Sequence, residues 1–221
     1  MGEIERTFWS TIDFKNRIND ILPKEEAWDW LEGPQKTRIE GSSIVLSLGK
    51  EAFISSKKKL KKLNKKDGYI TIAPGDLALL ITKEYIKIPP DCMGFISIKT
   101  KHKLYGLINI SGFHVDPGFQ GMLKYSVYNA GTSDVVLKYG DPTFILFMTY
   151  IRDGAEEYGE KHEHWQQEHI KPEEMMPLLG AGIPVHEIGN RLGTVETAVK
   201  IYGGILIGIL ILLLTILFRG R

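Results

Sequence analysis

The spacing of apolar residues changes several times along the 221-residue chain. Over residues 3–33, Ile4, Phe8, Ile12 and the group Ile18, Ile21, Leu22 recur at helical spacing. Pro23 breaks that run, and KEEAWDWLEG predicts a second short helix ending at Gly33, with Trp28 and Trp30 as packing residues. From about residue 42 to residue 151 the period becomes two. SIVLSL, YITIA, LALLITK, YIKIP, GFISIK, YGLINI, GMLKYSVYN, DVVLKYG and TFILFMTYI are short strands, with Gly, Pro, Asn or Asp in nearly every gap. The pattern predicts a mainly β domain, an antiparallel sandwich or jelly-roll, behind an N-terminal helical segment over residues 1–41.

Residues 152–184 are a polar connector. Beyond it, Val185, Ile188, Leu192, Val195, Val199 and Tyr202 alternate in steps of three and four. That is a heptad seam over residues 185–200, or the apolar face of one helix packed on its own domain. It leads into Ile201–Phe218, 18 residues without a charge, bracketed by Lys200, Arg219 and Arg221. A bilayer core asks for about 20 mainly apolar residues, so the segment predicts one membrane span; the other reading is a buried core helix, which is rarely apolar all round. Gly204 and Gly208 form a GxxxG that permits close helix approach. Seam and glycines both predict self-association. Thr215 is the only hydroxyl within the span apart from Tyr202 at its edge, so a pore built from it would gate by dewetting.

Charge sets few bounds on partners: 28 Lys and Arg against 27 Asp and Glu leave a net +1. Locally, Lys57, Lys58, Lys59, Lys61, Lys62, Lys65 and Lys66 put seven lysines into ten residues. The run reads as a solvated, mobile hairpin tip, or as a patch for nucleic acid or anionic lipid headgroups. No aromatic interleaves it, which argues against base stacking within the run. His162, His164 and His169 lie among glutamates in EKHEHWQQEH; a solvated charged helix explains them better than a metal site, and no metal is expected. The single Cys92 excludes an internal disulfide and suits a reducing compartment. No apolar secretory core opens the sequence, and Arg6 stands where a myristoylation signal wants Ser or Thr. These points place the main domain on the cytoplasmic side of an inner or plasma membrane.

The order SIVLSLG, IAPGDLALLITKEYIKIPPDCMGFISIKT, KLYGLINISGFHVDPGFQGMLKYSVYNAG and LKYGDPTFILFM over residues 42–150 resembles the dUTPase and dCTP-deaminase superfamily. The resemblance implies a trimeric jelly-roll with nucleotide bound at subunit interfaces. It places Asp116 where dUTPases hold the acid that orients the attacking water; Asp before Pro-Gly equally suits a tight turn. Deaminases carry a glutamate in an LE-x-x-N arrangement on the next strand, and Ser126 occupies that position. A hydroxyl cannot shuttle protons as a carboxylate does. In place of the family's Arg-Ser-Ser stands KTKHK, with Lys99, Thr100, Lys101 and Lys103: cations remain, but the bidentate guanidinium fork does not. Ile145 stands where a phosphate-contacting Gln is expected and Val45 where an acid is. The Gly-rich C-terminal arm that closes dUTPase sites is replaced by the apolar segment.

The resemblance thus implies a retained nucleotide site, formed by Lys99, Thr100, Lys101, Lys103, Gly106, Asp116, Gly118, Gly121, Ser126 and Asn129, with an eroded catalytic set. Together with the span, the architecture resembles nucleotide-gated membrane effectors of bacterial antiphage defence of the Hailong type, in which an oligodeoxynucleotide restrains a channel. The expected partners are the membrane, further copies of the chain, and a nucleotide or single-stranded oligonucleotide. The alternatives are a tethered nucleotide hydrolase using Asp116, with Mg²⁺ arriving on substrate phosphates and no resident cofactor, or an anchored scaffold without ligand.

Overall fold

A computed structural model describes residues 7–22, 39–151, 168–179 and 185–219. It divides into two units, residues 1–181 and residues 182–221. In the first unit, helix α1 (Thr11–Ile21) begins with a capping box: the Ser10 side chain accepts from Asp13 N–H, and the Asp13 carboxylate accepts from Ser10 N–H. The periodicity predicted a helix from residue 3, but Phe8 pairs instead with Thr149 as a β-bridge, and Trp9 N–H donates to Met148 O. Backbone pairing to Met148–Tyr150 holds those two residues extended until Ser10 starts the helix. The segments carrying Ile4, Trp28 and Trp30 lie outside the described residues.

The β region forms one nine-stranded antiparallel sheet, ordered β7-β9-β5-β2-β11-β6-β8, with β1 and β3 also pairing β2. Its strands are β1 (Ile39–Glu40), β2 (Ser43–Ile54), β3 (Lys59–Lys62), β5 (Leu77–Lys87), β6 (Cys92–Ile98), β7 (Leu107–Asn109), β8 (His114–Val115), β9 (Gln120–Asn129) and β11 (Pro142–Tyr150). A second, two-stranded sheet pairs β4 (Tyr69–Ile72) with β10 (Val135–Lys138). The large sheet curls into a half-barrel around Leu46, Leu48, Leu80, Tyr125, Phe144 and Leu146, all fully buried. This is the mainly β architecture that the period-two pattern predicts.

Two strands run longer than their patterns suggest. LALLITK and YIKIP are one strand, β5, whose register to β9 shifts between Ile81 and Tyr85. β2 continues through GKEAFI, with a shift against β5 between Leu48 and Ala52. Buried Glu84 lies within the shifted stretch of β5; its carboxylate accepts from Ser47 N–H at 2.8 Å and from the Ser47 hydroxyl at 2.7 Å, satisfying donors that irregular pairing leaves over. Conversely, KTKHK forms a short helix, α2 (Thr100–Leu104), packed on the sheet by buried His102.

Within the polar connector, residues 168–171 lead into helix α3 (Pro172–Leu179). This strap lies on the outer face of the sheet. Ile170 is buried with Phe53, Leu79 and Ile81, while Met175 and Leu178 pack beside Leu60 and Met122. His162 and His164 lie outside the described residues; His169 Nδ1 stands 2.9 Å from Glu51 Oε1.

The second unit is one unbroken helix, α4 (Val185–Arg219). Ile188–Arg219 is long and apolar enough to cross a membrane, and none of its apolar window is buried. Ile188, Leu192, Val195 and Val199 are exposed along it, and nothing lies within 4 Å of a Cβ placed at Gly204 or Gly208.

Candidate functional site at the open seam of the half-barrel

The two ends of the curled sheet, β7 and β8, do not pair, and residues 110–113 cross between them. Beside this seam lies a cleft of about 200 Å³. Ile96, Phe119 and Leu123 supply apolar lining; Ser111, His114, Asp116 and Lys124 supply the polar groups. Its shape follows from the DPG turn. Phe119 N–H donates to Asp116 O, and Gly118 N–H to Ile88 O, with Gly118 at φ 78°. Only glycine enters that region without strain, so the turn is held closed and the Asp116 carboxylate is held at the cleft. His114 Nε2 lies 3.6 Å from Asp116 Oδ1.

On β9, alternation sends Leu123, Tyr125, Val127 and Asn129 inward and leaves Met122, Lys124, Ser126 and Tyr128 on the outer face. Lys124 is a cleft residue that the family pattern does not single out. Its ammonium lies 2.5 and 2.7 Å from the two carboxylate oxygens of Glu174 on α3, and its side chain is 11% exposed. One cation therefore belongs both to the cleft and to the strap. Sequence could not reveal this, because Glu174 is 50 residues away in a polar segment.

The predicted site residues separate into groups. Asp116 lines the cleft. Ser126 adjoins it: its carbonyl accepts from Ile110 and Ser111 N–H, and no carboxylate occupies its position. Gly118 and Gly121 shape the turn and the start of β9. Lys99, Thr100, Lys101 and Lys103 do not line the cleft. Lys99 Nζ is held by Glu40 at 2.7 Å, and Lys103 Nζ donates to Ser97 Oγ. Gly106, at φ 90°, lies against Gly131, where a Cβ would run into backbone. The Asn129 carboxamide donates to Ile72 O and Ser133 O and accepts from Gly131 N–H, so it builds the turn after β9. The two apolar replacements meet in space: Ile145 is registered with Val45 on one side and with Ser97 on the other.

Packing shifts several of the titratable groups in the β domain. Burial and the neighbouring Asp91 push the Cys92 thiol up to about 12, far from nucleophilic range. Burial also lowers His102, on the buried side of α2, and so favours its neutral form. Burial opposes ionisation of Glu51, but Ile170 N–H and His169 outweigh it and hold the carboxyl below its ordinary range. Among the described residues no group of three or more His, Cys, Asp or Glu could hold a metal ion.

A family model described as dCTP deaminase-like matches residues 31–148, and these contain the seam, the cleft and the DPG turn. The chain belongs to this family. Among its dCTP deaminase-like relatives, the dCTP deaminase of Pyrococcus horikoshii is 38% identical over 115 residues, covering 52% of this chain and 71% of the relative. That of Pyrococcus furiosus is 40% identical over 103 residues, covering 47% and 64%. The crystal structure of 2'-deoxycytidine 5'-triphosphate deaminase from Agrobacterium tumefaciens superposes with a TM-score of 0.53 at 12% identity, covering 66% of this chain and 49% of that one. That likeness carries the fold alone. The matched region ends before the strap and the apolar helix, which have no part in the dCTP deaminase-like match.

Proposed function

We propose that the dCTP deaminase-like domain is a nucleotide or oligonucleotide receptor that controls a bundle of membrane-spanning helices. The observation that carries this reading is the double use of Lys124. A ligand phosphate entering the cleft competes with Glu174 for that ammonium, and Glu174 belongs to the strap that leads along the chain to α4. A cleft of about 200 Å³ is smaller than the roughly 300–1,000 Å³ of pockets that enclose drug-sized ligands. It admits one part of a nucleotide, a phosphate included, and leaves the rest at the mouth, which suits a nucleotide or the end of a strand. The ligand shifts the strap only as far as it binds the docked and released states differently.

The domain lies on the cytoplasmic side of an inner or plasma membrane, α4 crosses once, and copies associate through Val185, Ile188, Leu192, Val195, Val199, Gly204 and Gly208. The output is a channel or a membrane lesion, as the architectural resemblance to antiphage effectors implies.

The test is hydrogen exchange on the full chain in nanodiscs, with dCTP, dUTP or a short single-stranded oligodeoxynucleotide. Ligand binding is expected to raise exchange over residues 168–179, and Glu174→Gln to raise it without ligand. Binding that leaves the strap unchanged overturns the coupling. A second reading is favoured by the 38% identity to a dCTP deaminase: a membrane-tethered enzyme acting on deoxynucleotides through Asp116, with Mg²⁺ brought by substrate phosphates. Turnover of dCTP or dUTP that disappears in Asp116→Asn would establish it and displace the receptor reading.

A further inference from the structure

The Lys57–Lys66 run is an ordered surface with a definite shape. Leu60 packs beside the Phe53, Leu79 and Ile81 cluster, and Leu63 is buried with its N–H donating to Lys50 O. The Asn64 side chain accepts from Lys66 and Asp67 N–H and closes the following turn. With its leucines inward and its backbone paired to β2 from Glu51 to Ile54, the segment presents all seven lysines to solvent. None of the seven lines the cleft, and among the described residues none forms an ion pair. The surface continues onto the small sheet. Lys61 Nζ donates to Tyr69 O at 2.7 Å and lies 4.7 Å from the Tyr69 ring centroid. Tyr69 is registered with Lys138, and Val136 beside it is exposed.

We propose that this face docks onto an anionic lipid bilayer, the membrane that α4 enters. Three observations favour lipid. First, the run holds seven positive charges and no acid while the whole chain is only +1, so the rest of the chain is net negative. The charge is polarised, and an anionic surface attracts one face and repels the remainder. Second, lysines beside an exposed tyrosine and an aliphatic side chain match the headgroup region, where amphipathic side chains bury their stems and keep their polar ends wet. Third, the face shares a chain with a membrane-crossing helix, so docking is an intramolecular event at high effective concentration. Single-stranded nucleic acid would ask for open stacking platforms, and Lys61 already lies over the Tyr69 ring.

The proposal rests on the membrane-span reading and is independent of any ligand in the cleft. Its test uses the full chain in nanodiscs of phosphatidylcholine, alone or mixed with phosphatidylglycerol, with lysine accessibility read by amine-reactive labelling and mass spectrometry. Each lysine brought to an anionic leaflet raises the docked population about fivefold. Labelling of Lys57, Lys58, Lys59, Lys65 and Lys66 is therefore expected to slow at least that much in the anionic discs and to recover at high salt. Exposed Lys15 and Lys87 serve as unchanged references. In a variant with Lys57, Lys58, Lys65 and Lys66→Gln, the protection of Lys59 in anionic discs should shrink sharply, since three of the seven lysines remain. Equal labelling of the unmodified run in the two discs overturns the docking proposal alone. Protection by single-stranded DNA in neutral discs, with none from anionic lipid, overturns it in favour of nucleic acid. Failure to enter discs of either composition overturns the span and the docking together.

Discussion

Gly106 and Asn129 meet where the turn after β9 closes, and each is fixed by a different physical demand. Gly106 combines φ 90° with a Cβ position filled by Gly131 backbone. Gly106→Ala is therefore expected to destabilise the β domain by about 1–3 kcal/mol from backbone strain alone, read as a lower thermal midpoint in detergent. Asn129→Ala leaves Ile72 O, Ser133 O and Gly131 N–H without their partner. It should cost about 1–3 kcal/mol, and a ligand titration on protein that remains folded should show unchanged affinity. The motif made Asn129 conspicuous but not its task, because the same strand-end asparagine can face a ligand or its own turn. Asp116 was legible because the Pro-Gly turn ties its side chain to one place. Lys124 was not: in an alternating strand it reads as another solvated lysine until α3 is laid across it.

At the scale of elements, period-two alternation located the strands, and turn residues marked most of their ends. It failed where tertiary pairing overrode the local signal. Phe8 follows a helical period yet pairs with β11; the break between LALLITK and YIKIP is a register shift inside one strand, stabilised by Glu84. The strap was unreadable because its buried face is small and its neighbours are polar. It is held partly by ionised Glu51, which accepts from Ile170 N–H and faces His169. Because the folded carboxyl titrates below its ordinary value, the ionised form is the stabilising one. That contribution is present above the unfolded carboxylate range and is lost as pH falls through the lowered folded value. Hydrogen exchange over residues 168–179 should therefore rise as pH falls below the ordinary carboxylate range, and Glu51→Gln should reduce that pH dependence, leaving the part carried by the Lys124–Glu174 pair. In the N-terminal helix, Ser10→Ala removes the cap and should cost about 1 kcal/mol, seen as faster exchange at Asp13 and Phe14.

At the scale of the molecule, the family domain and the apolar helix are separate units whose sequences announce them in different ways, one by a motif order and the other by bare composition. If α4 crosses a membrane, the protein stays in the pellet after alkaline carbonate extraction. Leu210→Arg, near the middle of the apolar stretch, adds about 3 kcal/mol to insertion and should move a measurable fraction to the supernatant. A protein confined to a surface meets its own copies far more often than one free in three dimensions, and an unpaired strand is a template for adding another. The strands ending the seven-strand path, β7 and β8, are three and two residues long. Strands that short offer few free backbone groups to recruit a neighbour, so, if the chain is held at a membrane, β7 and β8 themselves are poor templates for aggregation.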